Sequence, residues 1–210
     1  LGYYSRARNL LALAREVAVA GEVPTTAEGW RRLPGVGPYT AAAIASLAFG
    51  EPSAVVDGNV VRVLSRVSAD ATEFPDRASA VRAYGAIARE WLPEDHPGEH
   101  NEALMELGAT VCLVGKPRCV SCPLRDDCRA AASGDPGRFP VVRPAGRRRR
   151  TVPRVWWVRD GAVLLSLSRR GRRLRGIWEI PEASFLPAVT LEPKPFATRK
   201  RAIGREDMLE

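Results

Sequence analysis

From Tyr3 to about Leu113 the apolar residues recur every three or four positions, the spacing of amphipathic helices. The pattern predicts one helix from Tyr3 to Ala20, stopped by Gly21, and a short one capped by Thr25 or Thr26 and ending near Leu33. An alanine-rich helix follows over Tyr39–Phe49, with Pro38 at its first position and Gly50 after it. Three more are expected at Asn59–Ser68, Arg77–Trp91 and Glu99–Val111. Short connections join them, so the first part of the chain reads as an all-α domain.

After about residue 137 the pattern changes. Residues 138–153 carry Pro140, Pro144, Gly146 and the run Arg147–Arg150, the composition of a basic linker. Val155–Val158 and Ala162–Ser168 read as strands joined through Arg159-Asp160-Gly161, where Asp-Gly suits a tight hairpin. Ile177–Ile180 is a third short strand, ended by Pro181. This divides the chain into a helical domain 1–137, the linker, a β-rich segment 154–190 and a polar tail 191–210 without an assignable pattern.

Composition narrows the function classes. At 210 residues and 45% hydrophobic the chain can bury a core, and no run of about eighteen apolar residues exists to span a membrane. A net charge of +8 points to a polyanionic partner, nucleic acid before a membrane surface, although a basic face can also be simply solvated. The chain opens on Leu1 rather than Met and enters helical pattern at once, so it is expected to be part of a longer protein.

Four cysteines, Cys112, Cys119, Cys122 and Cys128, stand in the spacing Cys-x6-Cys-x2-Cys-x5-Cys. Four soft thiolates in one short segment suit an iron–sulfur cluster. Zinc is the competing reading, but structural zinc sites usually present two tight pairs, and only Cys119/Cys122 forms one. Disulfides fit less well, because nothing here reads as a secretory signal and a chain of this size does not need staples. Lys116 and Arg118 lie between the first two cysteines, where a pinned loop would present them to phosphates.

Two further motifs carry chemistry. Leu33-Pro34-Gly35-Val36-Gly37 precedes a helix N-terminus; its glycines allow close approach of another chain, and its amides can meet a phosphate. A plain helix–helix turn would use the same residues. Twenty residues on, Val56-Asp57-Gly58-Asn59 places a carboxylate before an amphipathic helix, where Asp57 could serve as an N-cap, as a reactive group, or as both.

Leu1-Gly2-Tyr3-Tyr4-Ser5-Arg6-Ala7-Arg8-Asn9-Leu10, the hairpin Leu33–Thr40, the stretch Val55–Leu64 and the cysteine loop come in this order. Together they resemble the helix-hairpin-helix DNA glycosylases, and within them the MutY-type adenine DNA glycosylases. The resemblance spans about residues 1–132 and extends more weakly to Pro181. It implies a mainly α fold: a helix-hairpin-helix domain with an iron–sulfur cluster loop, followed by a partial β-rich Nudix-like domain. It also implies excision of adenine mispaired with guanine or 8-oxoguanine in double-stranded DNA, by a monomeric, cytoplasmic, nucleoid-associated bacterial protein.

By the same resemblance Asp57 is the active-site carboxylate, which would stabilise the oxocarbenium-like sugar as the base departs. Tyr39 stands where endonuclease III-like relatives carry a Schiff-base lysine, so a monofunctional glycosylase is expected rather than a lyase. Asn59 is expected to hydrogen-bond the carboxylate or nucleotide. The hairpin residues Leu33, Gly35, Val36 and Gly37, with Lys116 and Arg118, are the expected DNA contacts. Cys112, Cys119, Cys122 and Cys128 would hold a [4Fe–4S] cluster with a structural role.

Two features depart from the family. Its general-acid glutamate lies upstream of Leu-Gly-Tyr-Tyr, and neither Glu16 nor Glu22 stands in the matching context. The 210-residue chain by itself is therefore expected to be nearly inactive, a cluster-bearing DNA-binding piece. Trp178-Glu179-Ile180-Pro181 resembles the start of a Nudix-like domain, but the Nudix hydrolase signature is absent, so no pyrophosphohydrolase activity is expected. Arginines between Arg143 and Arg175 are candidates for phosphate contacts or for a solvated linker.

Overall fold

The computed structural model describes residues 4–144, 146, 148–168, 176–183, 200–203 and 206–209. The segment Leu1–Tyr3, Arg147 and residues 169–175 lie outside that set, as do the sequence readings that fall on them. The chain divides into two compact units, one of Asn9–Pro144 and one of Leu1–Arg8 with Ala145–Glu210.

Seven helices are described: α1 (Tyr4–Ala20), α2 (Ala27–Arg31), α3 (Pro38–Phe49), α4 (Gly58–Ser68), α5 (Arg77–Trp91), α6 (Pro97–Thr110) and α7 (Arg129–Ala132). The limits of the first six lie within two residues of the periodicity, because local signals set them, whereas the four-residue α7 was not expected. Thr26 caps α2 by accepting from the Gly29 amide, Pro38 occupies the first turn of α3, and Gly50 ends α3 at φ 69°. Asp76 and Ser79 form a reciprocal capping box at the start of α5.

The core gathers around α4. Val60, Val63, Leu64 and Val61 are buried together with Phe74, Tyr84, Ala80, Ala88 and Leu104 from the flanking elements. The Phe74 and Tyr84 rings lie 5.9 Å apart at 54°, a tilted aromatic pair. A smaller cluster of Trp30, Ala41 and Ala45, joined by Leu13, Leu33, Val36 and Ile44, packs the hairpin helices α2 and α3. Helix α6 crosses α3 and α4 at glycines. A Cβ on Gly98 would stand 2.6 Å from the Ser46 carbonyl oxygen, and one on Gly108 2.6 Å from the Asn59 Cβ.

Strand β1 (Glu73–Phe74) pairs in parallel with β2 (Val141–Val142), and the exposed Arg143–Glu73 ion pair extends the contact. The segment read from sequence as the start of a linker thus belongs, up to Pro144, to the helical unit. Two-residue strands carry too little alternation to be seen in sequence.

In the other unit β3 (Arg148–Thr151) lies parallel to β9 (Glu206–Leu209), which pairs antiparallel with β8 (Lys200–Ile203). The polar tail therefore contains paired backbone where the sequence showed no pattern. Strand β4 (Val158–Arg159) pairs with β5 (Ala162–Val163) across Asp160 (φ 51°) and Gly161 (φ 77°), the tight hairpin that Asp-Gly predicts. The single strand expected over Ala162–Ser168 is split. Residues 162–163 pair with β4, whereas β6 (Ser166–Leu167) pairs with β7 (Trp178–Glu179). Among the described residues this unit shows only these small sheets. No described helix is long and apolar enough to cross a membrane.

Two outcomes follow for stability. Leu64 is fully buried on the core face of α4, so Leu64→Ala should cost on the order of 2–5 kcal/mol in a urea melt. The Tyr84 hydroxyl donates to Asp70 Oδ2 at 2.8 Å, and bonds from Thr72, ahead of that from Tyr84, hold the Asp70 carboxyl below its usual range. A depressed carboxylate stabilises the fold above its unfolded pKa and loses that contribution as pH falls through the folded one. Asp70→Asn should therefore lower the melting temperature at neutral pH, with the gap to the unsubstituted protein closing below about pH 4.

Candidate active site and nucleic-acid interface

Asp57 ends an extended segment and caps α4. Its Oδ1 accepts from the backbone amides of Asn59 and Val60, both at 2.8 Å, and its Oδ2 accepts from Asn59 Nδ2 at 3.0 Å. Cap and candidate reactive group are thus the same side chain, half-buried at the N-terminus of α4. The N-terminus of α4 and two backbone N–H donors face it. Asp57, Gly58 and Asn59 line a cleft of about 510 Å³, whose other walls include Arg62, Arg77, Val114, Phe139 and Val142.

Three residues that the sequence reading passed over hold this arrangement. Arg62, one turn into α4, donates from Nη2 to Asn59 Oδ1 (2.9 Å) and to the Gly108 carbonyl (2.6 Å), and from Nε to the Cys112 carbonyl (2.6 Å). Burial pulls its pKa down, while the neighbouring Cys112 pushes it up. Asn101, buried on α6, accepts from the Val55 amide (3.1 Å) and donates to Ser46 Oγ and the Ser53 carbonyl, both at 2.9 Å. It fixes the strand-like entry to Asp57. Gly108 makes room for Asn59. Only the spacing Asn59-x-x-Arg62, which puts these two residues on one face of α4 just after Asp57, hinted at this.

Tyr39 stands in the first turn of α3. Its ring is 42% exposed, and its hydroxyl donates to Met105 Sδ at 3.3 Å; it does not line the Asp57 cleft. Glu16 and Glu22 are exposed, on α1 and just beyond it.

The hairpin Leu33–Gly37 turns between α2 and α3. Leu33 and Val36 face the Trp30–Ala41–Ala45 cluster, so their side chains anchor the turn. Gly35 has φ 77°, and a Cβ there would lie 2.4 Å from Asn9 Cβ. A Cβ on Gly37 would meet nothing within 4 Å, and the residue leads into the first turn of α3, its carbonyl accepting from the Ala41 amide at 2.9 Å. Among the described residues no backbone hydrogen bond uses the Gly35 or Gly37 amide.

All four cysteines line a single cavity together with Arg66, Arg118 and Arg125, and no Asp, Glu or His shares its wall. Burial pushes the Cys122 thiol up, and negative charge on Cys112, Cys128 and Cys119 pushes it further. Among the described residues no three potential ligands stand together as a group that could hold a metal ion. The donor set nonetheless suits a thiophilic, anionic centre: it is soft, four-fold, free of oxygen donors and faced by cations. Lys116 and Arg118 are exposed on the loop between the first two cysteines, which the Arg118 amide closes by donating to the Val111 carbonyl at 2.9 Å. Of the later arginines, Arg143 is paired with Glu73, and Arg154 with Glu179 and the Ile180 carbonyl.

Residues 19–47 match the helix-hairpin-helix motif. The described fold aligns with a thermostable thymine-DNA glycosylase at 33% identity and a TM-score of 0.52, over 61% of this chain and 59% of that one. It aligns with endonuclease III in a non-covalent DNA complex at 29% and 0.51, over 63% and 60%. The chain thus carries the mainly helical fold of the helix-hairpin-helix glycosylases, with some small sheets.

Within that class it is a homologue of the adenine DNA glycosylases. It is 46% identical to that of Arabidopsis thaliana over 97% of this chain, 48% to the human protein over 62%, and 39% to that of Mycolicibacterium smegmatis over 65%. It spans 34%, 24% and 46% of those relatives' own lengths.

Arg62→Ala should lower stability by about 1.5–3 kcal/mol, because two carbonyls lose a charged donor. Arg62→Lys should recover little, since one ammonium cannot span the three acceptors. Chemical denaturation of the three proteins checks both outcomes.

Proposed function

We propose that the protein to which this chain belongs is a base-excision DNA glycosylase that hydrolyses the N-glycosidic bond of adenine mispaired with guanine or 8-oxoguanine. The observation that carries the reading is Asp57, held on both oxygens at a helix N-terminus and open to a cleft. Similarity to adenine DNA glycosylases supports adenine as the base, and the DNA complex of endonuclease III supports DNA as partner.

Adenine is first rotated out of the stack, since its glycosidic bond cannot be reached inside the duplex. As the C1′–N9 bond lengthens, positive charge builds on the deoxyribose, and Asp57 stabilises it. Asn59 and the two amides fix the carboxylate so that little reorganisation is needed. Water adds to C1′ and yields its proton, adenine leaves protonated, and an abasic site remains. Tyr39 has no amine to form a Schiff base, so the strand is not cut by that route. The Gly35–Gly37 amides and the helix α3 dipole take the DNA backbone without reading its sequence.

Cys112, Cys119, Cys122 and Cys128 would hold a [4Fe–4S] cluster. The group would supply structure, since hydrolysis transfers no electrons, and the loop bearing Lys116 and Arg118 would meet phosphates. Residues 154–190 are read as part of a Nudix-like domain that recognises the base opposite adenine.

In the full-length protein, Asp57→Asn should lower single-turnover adenine release from an A:8-oxoguanine duplex by about 10²-fold or more while duplex binding persists. Release within a few-fold of the unsubstituted protein would refute the role of Asp57. A borohydride-trapped protein–DNA adduct would favour lyase chemistry instead.

A further inference from the structure

Arg66 is the buried charge that the glycosylase reading leaves unused. It lies on α4, one turn beyond Arg62, and is 2% exposed. Its Nε donates to the Phe139 carbonyl at 3.2 Å, and its Nη1 donates to the Leu113 carbonyl at 2.9 Å and to Cys112 Sγ at 3.2 Å. The Cys128 thiol donates in turn to the Arg66 carbonyl at 3.5 Å. Among the described residues no carboxylate forms a salt bridge with Arg66.

A guanidinium removed from water is costly unless an anion faces it. Two carbonyls offer dipoles and no charge. Among the described residues the sulfur of Cys112 is the one hydrogen-bond acceptor of the Arg66 guanidinium that can carry a negative charge, and the cavity behind it holds three more thiols and no acid. The guanidinium thus reaches the first of the four thiols directly and lines the cavity that holds the other three.

We propose that Arg66 is the counter-ion and positioning residue of the four-cysteine cofactor. Its N–H···S bond holds the Cys112 thiolate in place, and its fixed charge sets the reduction potential of the cluster. This rests on the iron–sulfur reading above. A cluster on four thiolates gains negative charge on reduction, so a buried cation and a hydrogen bond to sulfur stabilise the reduced state and raise the potential. An arginine that merely capped the Phe139 and Leu113 carbonyls would leave the iron–thiolate stretching frequencies where they are.

The test compares iron-loaded full-length protein with its Arg66→Lys and Arg66→Gln variants by iron and sulfide analysis, resonance Raman spectroscopy and film voltammetry. The potential should move negative, further for Arg66→Gln than for Arg66→Lys, and the iron–thiolate stretching frequencies should shift while circular dichroism stays unchanged. If Arg66→Gln does not fold, Arg66→Lys decides, since it keeps the charge and loses the planar fork: a shifted iron–thiolate frequency supports the assignment. Unchanged frequencies and potential in fully loaded variants overturn it and leave the cofactor in place. An unsubstituted protein without iron or labile sulfide removes the cofactor and, with it, this role.

Discussion

Helix α6 can lie directly on α3 and α4 because Gly98 and Gly108 present no side chain at the two crossings. Much of the organisation around Asp57 depends on that close approach. With Gly108 against Asn59, the Gly108 carbonyl and the chain leaving α6 at Cys112 come within reach of Arg62. At the other crossing, Asn101 reaches both Ser46 on α3 and the backbone that leads into Asp57. A methyl group at either glycine would push the helices apart and loosen both sets of bonds.

The same crossing ties two regions that differ in chemistry. Along one face of α4, Asp57 and Asn59 open on a cleft, Arg62 bonds the Cys112 carbonyl, and Arg66 bonds the Cys112 sulfur. One amphipathic helix thus carries a carboxylate at its N-terminus and, within about two and a half turns, two guanidiniums directed at the first cysteine. The opposite face of α4 is apolar and lies in the core with Phe74, Tyr84 and Leu104. Core packing of one face therefore sets the rotational position of the other.

Neither hairpin glycine plays the same part. Gly35 is required by its positive φ and by the nearness of Asn9, which leaves no space for a side chain. At Gly37 a Cβ would meet nothing within 4 Å, so packing within the described residues does not require a glycine there. Leu33 and Val36 hold the turn through the small Trp30 cluster rather than by reaching outward.

Read alone, the chain revealed six of the seven described helices within two residues, because caps, prolines and stop glycines are local signals. It also singled out Asp57, Asn59 and the four cysteines, whose types and spacings are chemically distinctive. It did not show the β1–β2 pair, which joins residues far apart in sequence through two-residue strands, nor the splitting of the Ala162–Ser168 segment between two partners. Arg62, Arg66 and Asn101 look in sequence like ordinary polar residues on helices. Their importance is a matter of distance: each has hydrogen-bond partners 46 to 73 positions along the chain, and only the packing of α6, and of the chain that follows it, on α3 and α4 brings them together.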